Sequence, residues 1–293
     1  MSRIAHGKPG LDGKTKVLGV FGYPVDHSLS PAMHNAALNS LNLNCVYLPF
    51  MVRPEDLETA LKSLSSLNLL GVNLTIPHKE TALKFMDYLD DSAVEVGAVN
   101  TVNLHEGRLT GYNTDGTGFW APLSDMHYSC ENAETIVLGG GGAARSVAFK
   151  LVREGAKVTL VNRTLPRAEQ LALELQQHYP ECSVQVLGYE NRHLKETIQQ
   201  ASLLVNTTKV GMYPHHENSS PIEIDFLTSN LIVYDLVYNP RETFLLQAAR
   251  SKGCVTLNGV KMLVMQGAAA FEIWTGCRPD TEAMEQAILQ CLP

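Results

Sequence analysis

The sequence lacks a long apolar run. No segment approaches the roughly 18 consecutive apolar residues that cross a bilayer as a helix, and the first 16 residues contain no apolar core of the signal-peptide type. We therefore expect no membrane partner and no signal peptide, and we expect residues 1 to about 15 to form a loose leader. The composition, 45% hydrophobic and 18% charged, is typical of a globular protein, and 293 residues suggest two domains.

The sequence is also short of positive charge. Its 23 lysine and arginine residues compare with 30 acidic ones, which gives a net charge of −7. That balance argues against nucleic acid or an anionic membrane surface as a partner. An anionic small molecule would then be bound by a few placed groups rather than by a broad basic surface.

Metal-binding patterns are absent as well. The six cysteines are scattered, none forms a Cys-x-x-Cys pair, and neither they nor the ten histidines show the spacing of a zinc site. Free thiols are typical of proteins in a reducing cytoplasm. We expect no metal ion and a cytoplasmic location.

What the sequence does contain is a predicted βαβ unit between Thr135 and Thr164. A short β-branched run is followed by four glycines, a segment of helical periodicity that ends at a glycine, and a second apolar run. The glycine turn matches G-x-G-x-x-A, in which small residues let the N–H groups of a helix start contact phosphate. The pattern predicts a bound dinucleotide, with a merely structural turn as the alternative. The expected contacts are Gly139, Gly140, Gly141, Gly142 and Ala143.

The end of the second strand indicates which dinucleotide is bound. NAD enzymes usually carry Asp or Glu there, which binds the ribose 2′-hydroxyl. This chain has Asn162, Arg163 and Thr164 instead. No carboxylate would repel a 2′-phosphate, and the arginine guanidinium can pair with it. These residues predict NADP(H) as cofactor; the alternative is that Arg163 is an ordinary solvated arginine.

Two serines precede the first predicted helix. Ser30 is expected to be the N-cap of a helix that starts at Pro31 and runs to about Leu41. Together with Ser28 it places two hydroxyls at the positive end of a helix dipole, an arrangement that can bind a carboxylate. A purely capping role for Ser30 is the alternative, and the local sequence favours neither.

A further polar group follows a predicted strand that begins at Gly71. Asn73 and Thr75 project to the same side of this strand, because side chains alternate along it. Lys79 stands just past the strand end, where the ligands of parallel sheets bind. A helix is expected to follow, from about residue 80 to residue 88.

Three other positions complete the candidate site. Asp115 stands between a threonine and a glycine, and by itself it is most simply explained as a turn residue. Polar loops follow later predicted strands around Asn206 and after Leu236, as at the carboxyl edge of a doubly wound sheet. A last long helix, Val260 to Trp274, carries Gln266.

Taken together, these motifs resemble those of the shikimate dehydrogenase family over about residues 16 to 292. The resemblance implies a two-domain α/β enzyme. An α/β substrate-binding domain would comprise residues 1–115 and be completed by C-terminal helices in 259–293, and a Rossmann-like, doubly wound NADP-binding domain would comprise 116–258. Besides the glycine turn and Asn162-Arg163-Thr164, the matching segments are Ser28-Leu29-Ser30-Pro31, Asn73-Leu74-Thr75-Ile76-Pro77-His78-Lys79, Gly97-Ala98-Val99-Asn100-Thr101, Asn113-Thr114-Asp115-Gly116 and Met265-Gln266-Gly267-Ala268.

The resemblance also implies an activity and a role for each matching residue. Lys79 and Asp115 would be the catalytic pair of an NADPH-dependent, reversible reduction of 3-dehydroshikimate to shikimate, a step toward the aromatic amino acids. Thr207, Val237 and Gly259 would join the cofactor contacts, whereas Lys209 departs from the residue more usual in relatives and has no assigned role. The substrate-binding residues would be Ser28, Ser30, Asn73, Thr75, Asn100, Asp115, Tyr238 and Gln266.

Two other functions stay open at this point. The nearer one is a quinate/shikimate dehydrogenase that uses NAD, although the serines at 28 and 30 favour shikimate and Arg163 favours NADP. The second is an NADP-sensing module without catalysis, although a sensor has no need of a proton donor such as Lys79. The sequence is compatible with a monomer or a homodimer.

Overall fold

The chain forms two compact units. The computed structural model describes residues 10–214 and 217–292, so that most of the expected leader lies outside the described residues. The first unit ends at Gly118 and is completed by Leu263–Cys291, and the second runs from Phe119 to Met262. These points lie close to the domain boundaries predicted after residues 115 and 258. In the described part of the chain, no helix is both long enough and apolar enough to cross a membrane.

Strands and α-helices alternate through most of the chain. In chain order they are β1 (Lys16–Gly22), α1 (Ser30–Ser40), β2 (Cys45–Met51), α2 (Leu57–Ser66), β3 (Leu69–Leu74), β4 (Tyr88–Leu89), α3 (Asp91–Val96), β5 (Thr101–His105), β6 (Arg108–Tyr112), α4 (Asp115–Asp125), β7 (Glu134–Leu138), α5 (Gly142–Arg153), β8 (Lys157–Val161), α6 (Leu165–His178), β9 (Val184–Leu187), α7 (Leu194–Gln200), β10 (Leu203–Asn206), β11 (Ile232–Asp235), α8 (Phe244–Ser251), β12 (Val255–Leu257), α9 (Gly259–Thr275) and α10 (Thr281–Leu289).

The first unit is built on a mixed six-stranded sheet with the strand order β2-β1-β3-β5-β6-β4. β1 is parallel to both β2 and β3, whereas β5 pairs antiparallel with β3 and with β6. β3 is buried along its whole length. Three of its side chains, those of Leu69, Val72 and Leu74, belong to one core cluster with leucines of α2, namely Leu57, Leu61 and Leu64. The carboxyl ends of β1 and β3 therefore lie side by side, and the loops that follow them carry predicted site residues.

The C-terminal helices belong to the core of this first unit. The indole Nε1–H of Trp274, on α9, donates to the carbonyl oxygen of Val102 at 3.0 Å. A Cβ atom on Gly71 would lie 2.4 Å from that nitrogen, so the indole approaches β3 only because this position is glycine. α10 packs against α1. The last helices thus complete a unit that begins near the start of the chain.

The second unit contains a six-stranded sheet, all parallel, with the order β12-β11-β10-β7-β8-β9. The chain starts in the middle at β7, winds outward through β8 and β9, and then returns to add β10, β11 and β12 on the other side. The predicted βαβ unit and the doubly wound sheet are both confirmed. The winding reverses between β7 and β10, and ligands of such sheets bind at the carboxyl ends of the strands that flank this point.

Two predictions about helices in the first unit are wrong. The segment predicted as a helix over 80–88 contains only a 3₁₀ helix, Thr81–Phe85, because the backbone of Asp87 then pairs with Leu109 and β4 pairs with β6. Ser30 is not an N-cap. α1 begins at Ser30 itself, no side chain caps it, and the Ser28 hydroxyl oxygen accepts a hydrogen bond from the Ser30 N–H at 3.3 Å.

One helix of the second unit is absent from the sequence predictions. α6 follows β8 directly and has a proline in its first turn. Ala168, Leu171 and Leu175 are buried at helical spacing along it. The signal was present in the sequence, and the helix could have been predicted.

Candidate active site

The structure brings Lys79 and Asp115 together. Lys79 follows the turn after β3, and its carbonyl oxygen accepts a hydrogen bond from the backbone N–H of Val99 at 2.8 Å. Asp115 is the first residue of α4. The Lys79 Nζ donates to the Asp115 Oδ2 at 2.5 Å, and the two side chains are 18% and 6% exposed. A buried carboxylate is thus neutralised by an ammonium group that keeps some access to solvent.

Asn100 orients this carboxylate and links it to α9. Its Nδ2 donates to the Asp115 Oδ1 at 2.8 Å and to the Gln266 Oε1 at 3.4 Å. Its Oδ1 accepts from the backbone N–H of Thr114 at 2.9 Å. Four residues predicted to act together therefore form one hydrogen-bonded cluster, which we call the Lys79 cluster: Lys79, Asn100, Asp115 and Gln266.

Asn73 supports this cluster from the middle of the sheet. It is only 6% exposed, and its Nδ2 donates to the carbonyl oxygen of Asn100 and to the Thr101 Oγ1, both at 3.1 Å. Its Oδ1 accepts from the Tyr47 hydroxyl at 2.7 Å. Because both amide hydrogens are used inside the protein, Asn73 can offer a ligand only the remaining acceptor capacity of its oxygen.

The two serines and Thr75 lie at the loops after β1 and β3. Ser30 is buried and Ser28 half-buried at the start of α1. Burial raises the pKa of Tyr47, and a hydrogen bond with Ser30 opposes that rise, which places Ser30 beside a residue that holds Asn73. The backbone N–H of Thr75 donates to the Phe21 carbonyl oxygen at 2.9 Å, so Thr75 stands next to the end of β1.

The glycine turn of the second unit has the shape of a phosphate cradle. Gly139 has φ +119°, and a Cβ there would lie 2.4 Å from the Thr207 Oγ1. A Cβ on Gly141 would meet nothing within 4 Å, so that open space lies in front of the first turn of α5. The first N–H groups of a helix have no intrahelical partner and carry the positive end of its dipole. The turn therefore fits the diphosphate of a dinucleotide.

The residues after β8 fit the 2′-phosphate of NADP. The Asn162 Nδ2 donates to the Thr164 carbonyl oxygen at 2.9 Å and fixes this turn, and Arg163 is exposed. Arg167, which the sequence predictions omit, stands beside the turn: its Cγ would lie 3.6 Å from a Cβ on Gly140. Arg167 could have been found from the sequence, because the pattern Asn-Arg-Thr-x-x-Arg places a second arginine shortly after Arg163.

The other predicted cofactor contacts lie at the carboxyl ends of the neighbouring strands. The Thr207 hydroxyl donates to the Leu138 carbonyl oxygen at 2.6 Å, which ties the end of β10 to that of β7. The backbone N–H of Gly259 donates to the Val237 carbonyl oxygen at 3.1 Å. Tyr238, which follows at once, is half-buried, and burial raises its pKa. Lys209 is exposed.

The described residues contain no group of three or more His, Cys, Asp or Glu side chains placed to hold a metal ion. The predicted site residues of the first unit offer one ammonium group, one carboxylate, three side-chain amides (Asn73, Asn100 and Gln266) and three hydroxyls. Such a set can bind and protonate a polyhydroxylated carboxylic acid.

Three family models match the chain. Residues 20–102 match the shikimate dehydrogenase substrate binding domain, residues 123–218 match the shikimate/quinate 5-dehydrogenase model, and residues 259–289 match the shikimate 5′-dehydrogenase C-terminal domain. The matched segments contain Lys79, Asn100 and Gln266 of the Lys79 cluster and the whole glycine turn, whereas Asp115 lies between the first two matches.

Individual relatives match over nearly the whole chain. The shikimate dehydrogenase (NADP(+)) of Methanopyrus kandleri is 45% identical over 284 residues, which cover 96% of this chain and 98% of that protein. A solved shikimate dehydrogenase in complex with NADP⁺ has a TM-score of 0.92 at 38% identity and covers 98% of this chain and 100% of its own. The shikimate 5-dehydrogenase of Thermus thermophilus, solved with NADP(H) and shikimate, has a TM-score of 0.85 at 40% identity, with 95% of this chain and 100% of its own covered.

Matches of this extent, with a doubly wound sheet in one unit and a lysine–carboxylate pair in the other, place the protein among the NADP-dependent oxidoreductases. The chain belongs, within that class, to the shikimate dehydrogenase family. The family resemblance drawn from the sequence motifs and the two-domain α/β fold are confirmed.

Proposed function

We propose that the protein catalyses the NADPH-dependent, reversible reduction of 3-dehydroshikimate to shikimate. The observation that carries the proposal is the largely buried ion pair of Lys79 and Asp115, 2.5 Å apart, within a shikimate dehydrogenase fold. The reaction needs a proton donor next to a carbonyl group, and this pair supplies one.

The proposed chemistry assigns separate tasks to the members of the Lys79 cluster. When bound, NADPH supplies the hydride that reduces the C3 carbonyl of the substrate. The Lys79 ammonium stabilises the negative charge that develops on the carbonyl oxygen and donates a proton to it. Asp115 accepts from Lys79 and holds it in place, and Asn100 fixes the carboxylate through its 2.8 Å hydrogen bond.

Substrate binding rests on hydroxyls, side-chain amides and the Asp115 carboxylate, and on the start of α1. Ser28 and Ser30 bind the substrate carboxylate at the positive end of that helix, and Tyr238 is a further residue assigned to the substrate. The ring hydroxyls are bound by polar side chains of the first unit. These are Asn73, Thr75, Asn100, Asp115 and Gln266.

Cofactor binding uses backbone N–H groups and arginine. Gly139 to Gly142 and Ala143 hold the diphosphate, and Asn162, Arg163 and Thr164 hold the adenosine 2′-phosphate. Thr207, Val237 and Gly259 complete the site from the neighbouring strand ends. A guanidinium pairs with phosphate through two N–H groups, which supports NADP(H) over NAD(H).

We also propose a cytoplasmic enzyme that is a monomer or a homodimer. Its six cysteines are all free, as is typical of a reducing compartment. Light scattering of the purified protein gives its molar mass and distinguishes the two assembly states.

The test is a set of four assays that follow the absorbance of the reduced nicotinamide. Purified protein is mixed with shikimate or quinate, each with NADP⁺ or NAD⁺. Fast reduction with shikimate and NADP⁺ alone is the expected result. Preference for quinate or NAD⁺ would overturn the specificity assigned to Ser28, Ser30 and Arg163, and a lack of turnover with every pair would overturn the proposed activity.

A further inference from the structure

A second buried carboxylate, that of Asp235, lies at the end of β11 and takes no part in the chemistry described above. Asp235 is 0% exposed. Its Oδ2 accepts from the Thr243 hydroxyl at 2.6 Å, and its Oδ1 accepts from the Asn206 Nδ2 at 2.9 Å and from the Val237 N–H at 3.1 Å. All three donors are neutral. Burial raises the pKa of Asp235 to about 6, so at neutral pH a charge is held where the surroundings disfavour it.

The hydrogen bond from Asn206 to Asp235 determines the shape of the loop after β10. Asn206 is paired with Asp235 in the sheet register and is also 0% exposed. Because its Nδ2 donates to the carboxylate, its Oδ1 is turned toward Thr208, from which it accepts both the backbone N–H at 3.0 Å and the hydroxyl at 2.7 Å. The Thr208 oxygen in turn accepts from the Val210 N–H at 3.1 Å. Thr207 lies inside this closed turn.

The hydrogen bond from the Val237 N–H to Asp235 determines the shape of the turn after β11. The Val237 N–H is held by Asp235, and the Val237 carbonyl oxygen accepts from the Gly259 N–H at 3.1 Å. A Cβ on Gly259 would lie 2.1 Å from the Leu236 carbonyl oxygen, so the start of α9 fits tightly on this turn. Any shift of the turn would therefore move Gly259.

The hydrogen bond from the Thr243 hydroxyl to Asp235 fixes the start of α8. Thr243 is 1% exposed, and its hydroxyl donates to Asp235 while its oxygen accepts from the Leu246 N–H at 3.3 Å. Thr243 is thus the N-cap of that helix. The carboxylate joins three segments that are separate in sequence.

We propose that Asp235 is the positioning residue of the NADP(H) site: through Asn206 and Val237 it fixes the strand-end backbone at Thr207, Val237 and Gly259. The inference rests on the proposed function of those three residues as cofactor contacts. Asp235 itself is fully buried and has no contact with the cofactor. A neutral residue at this position would pack at lower electrostatic cost, but it would accept fewer hydrogen bonds from these loops.

Asp235→Asn and Thr243→Val test the proposal, since both keep the shape of the side chain. Asp235→Asn replaces the acceptor oxygen Oδ2 by a donor that faces Thr243, and Thr243→Val removes the hydroxyl that holds Oδ2. Either change releases the orientation of the Asp235 side chain and so weakens the hydrogen bonds that Oδ1 accepts from Asn206 and Val237. The matched control is Thr135→Val, which removes an equally buried hydroxyl, 1% exposed, whose hydrogen bond to Lys157 lies at the opposite end of the sheet. Folding of each variant is checked by its thermal midpoint.

The primary readout is the dissociation constant of NADPH, measured by fluorescence titration well below the thermal midpoint. We expect both test variants to raise it about fivefold or more, as the loss of a hydrogen bond to a charged group implies, and Thr135→Val to leave it within about twofold. Hydrogen–deuterium exchange should become faster in 206–210 and 236–239, with no change in 139–145. The KM for shikimate should stay near the wild-type value.

Two results would overturn the proposal. One is NADPH binding within about twofold of wild type by folded Asp235→Asn and Thr243→Val proteins; the other is an equal loss of NADPH affinity in the Thr135→Val control. If Asp235→Asn does not fold, Thr243→Val alone decides between these outcomes. Failure of the wild-type protein to bind NADPH would instead contradict the proposed function.

Discussion

Asp115 and Asp235 are both buried carboxylates, one in each unit, but their surroundings differ. Asp115 accepts from a lysine ammonium at 2.5 Å, and the lysine keeps 18% of its surface exposed. Asp235 is 0% exposed, and its donors among the described residues are all neutral. The first arrangement pairs the carboxylate with a charged donor that solvent can reach, and the second holds a fixed acceptor away from solvent. Burial of a carboxylate therefore does not by itself identify a catalytic group; the charge and exposure of its partner do.

The same contrast extends to the two candidate sites. In the first unit the site consists of side-chain ends from segments far apart in sequence, which meet in the Lys79 cluster. In the second unit it consists mainly of backbone groups at strand ends, which buried side chains hold in place. We expect truncation of side chains to affect turnover in the first unit and cofactor affinity in the second.

Lys79→Ala should have the largest effect. Loss of the ammonium removes the proton donor and leaves a buried carboxylate without its cation, so kcat should fall about 100-fold or more, with a modest change in KM. Steady-state kinetics with shikimate and NADP⁺ measures both constants. Lys62→Ala, which removes an exposed lysine paired with Glu58, should leave them unchanged. A large rise in KM at intact kcat would make Lys79 a binding residue only.

The contribution of Asp235 to the free energy of unfolding should depend on pH in a predictable direction. Its pKa is raised from an ordinary 3.8 to about 6, so the folded protein binds this proton more tightly than the unfolded chain does. The stabilising contribution is complete below about pH 4 and is lost as the pH rises through about 6, a loss of about 3 kcal/mol. Asp235→Asn lacks this titration.

Urea unfolding of the wild type and of Asp235→Asn between about pH 3 and pH 7 measures this difference. The free energy of unfolding of the wild type should fall by about 3 kcal/mol relative to the variant over that range. Parallel curves for the two proteins would show that the Asp235 carboxyl titrates alike in the folded and unfolded states.

Arg163→Ala should weaken NADPH binding by about ten- to a hundredfold, since a guanidinium–phosphate contact is worth roughly 1.5–3 kcal/mol. Affinity for NADH should hardly change, because NADH has no 2′-phosphate. Fluorescence titration with each cofactor measures both constants. Arg192→Ala, which removes another exposed arginine of the same unit, serves as the control. Equal losses for NADPH and NADH would refute the assignment.

Ser28→Ala should have the smallest effect. Removal of one hydroxyl donor from a charged acceptor costs about 1.5 kcal/mol, the lower end of the range for such hydrogen bonds, so the KM for shikimate should rise about tenfold at nearly constant kcat. Ser40→Ala, at the other end of α1, removes a hydroxyl that bonds only the Ala37 carbonyl oxygen among the described residues, and it should leave KM unchanged. A similar KM for the two variants would contradict a carboxylate site at Ser28.

The second unit was predictable where its structure is local. The strands and helix of the βαβ unit follow from apolar periodicity and a glycine turn, and the structure has all three in the predicted order. The hydrogen bond between Asn206 and Asp235 was not predictable, because it depends on the register of β10 against β11, 29 positions away in sequence. α6 could have been predicted from its spacing alone.

The first unit was predictable mainly through its family resemblance. Lys79 and Asp115 are 36 positions apart, and no local pattern pairs them. Asp115 is the first residue of α4, a helix that two nearby glycines and an internal proline conceal in the sequence. The wrong helix over 80–88 has a similar cause, since strand pairing with β6 overrides local helix propensity there.

The close fit of the Trp274 indole over Gly71 has a consequence for synthesis on the ribosome. The second unit is continuous in sequence, from Phe119 to Met262, and all its strands have emerged before α9 does. The first unit begins to emerge earlier, but its core stays incomplete until Trp274 and α10 have been translated. We therefore expect the unit that is translated first to be completed last. A nascent chain that ends just after Met262 should contain a folded second unit and an N-terminal segment with exposed apolar surface, the kind of species that chaperones bind.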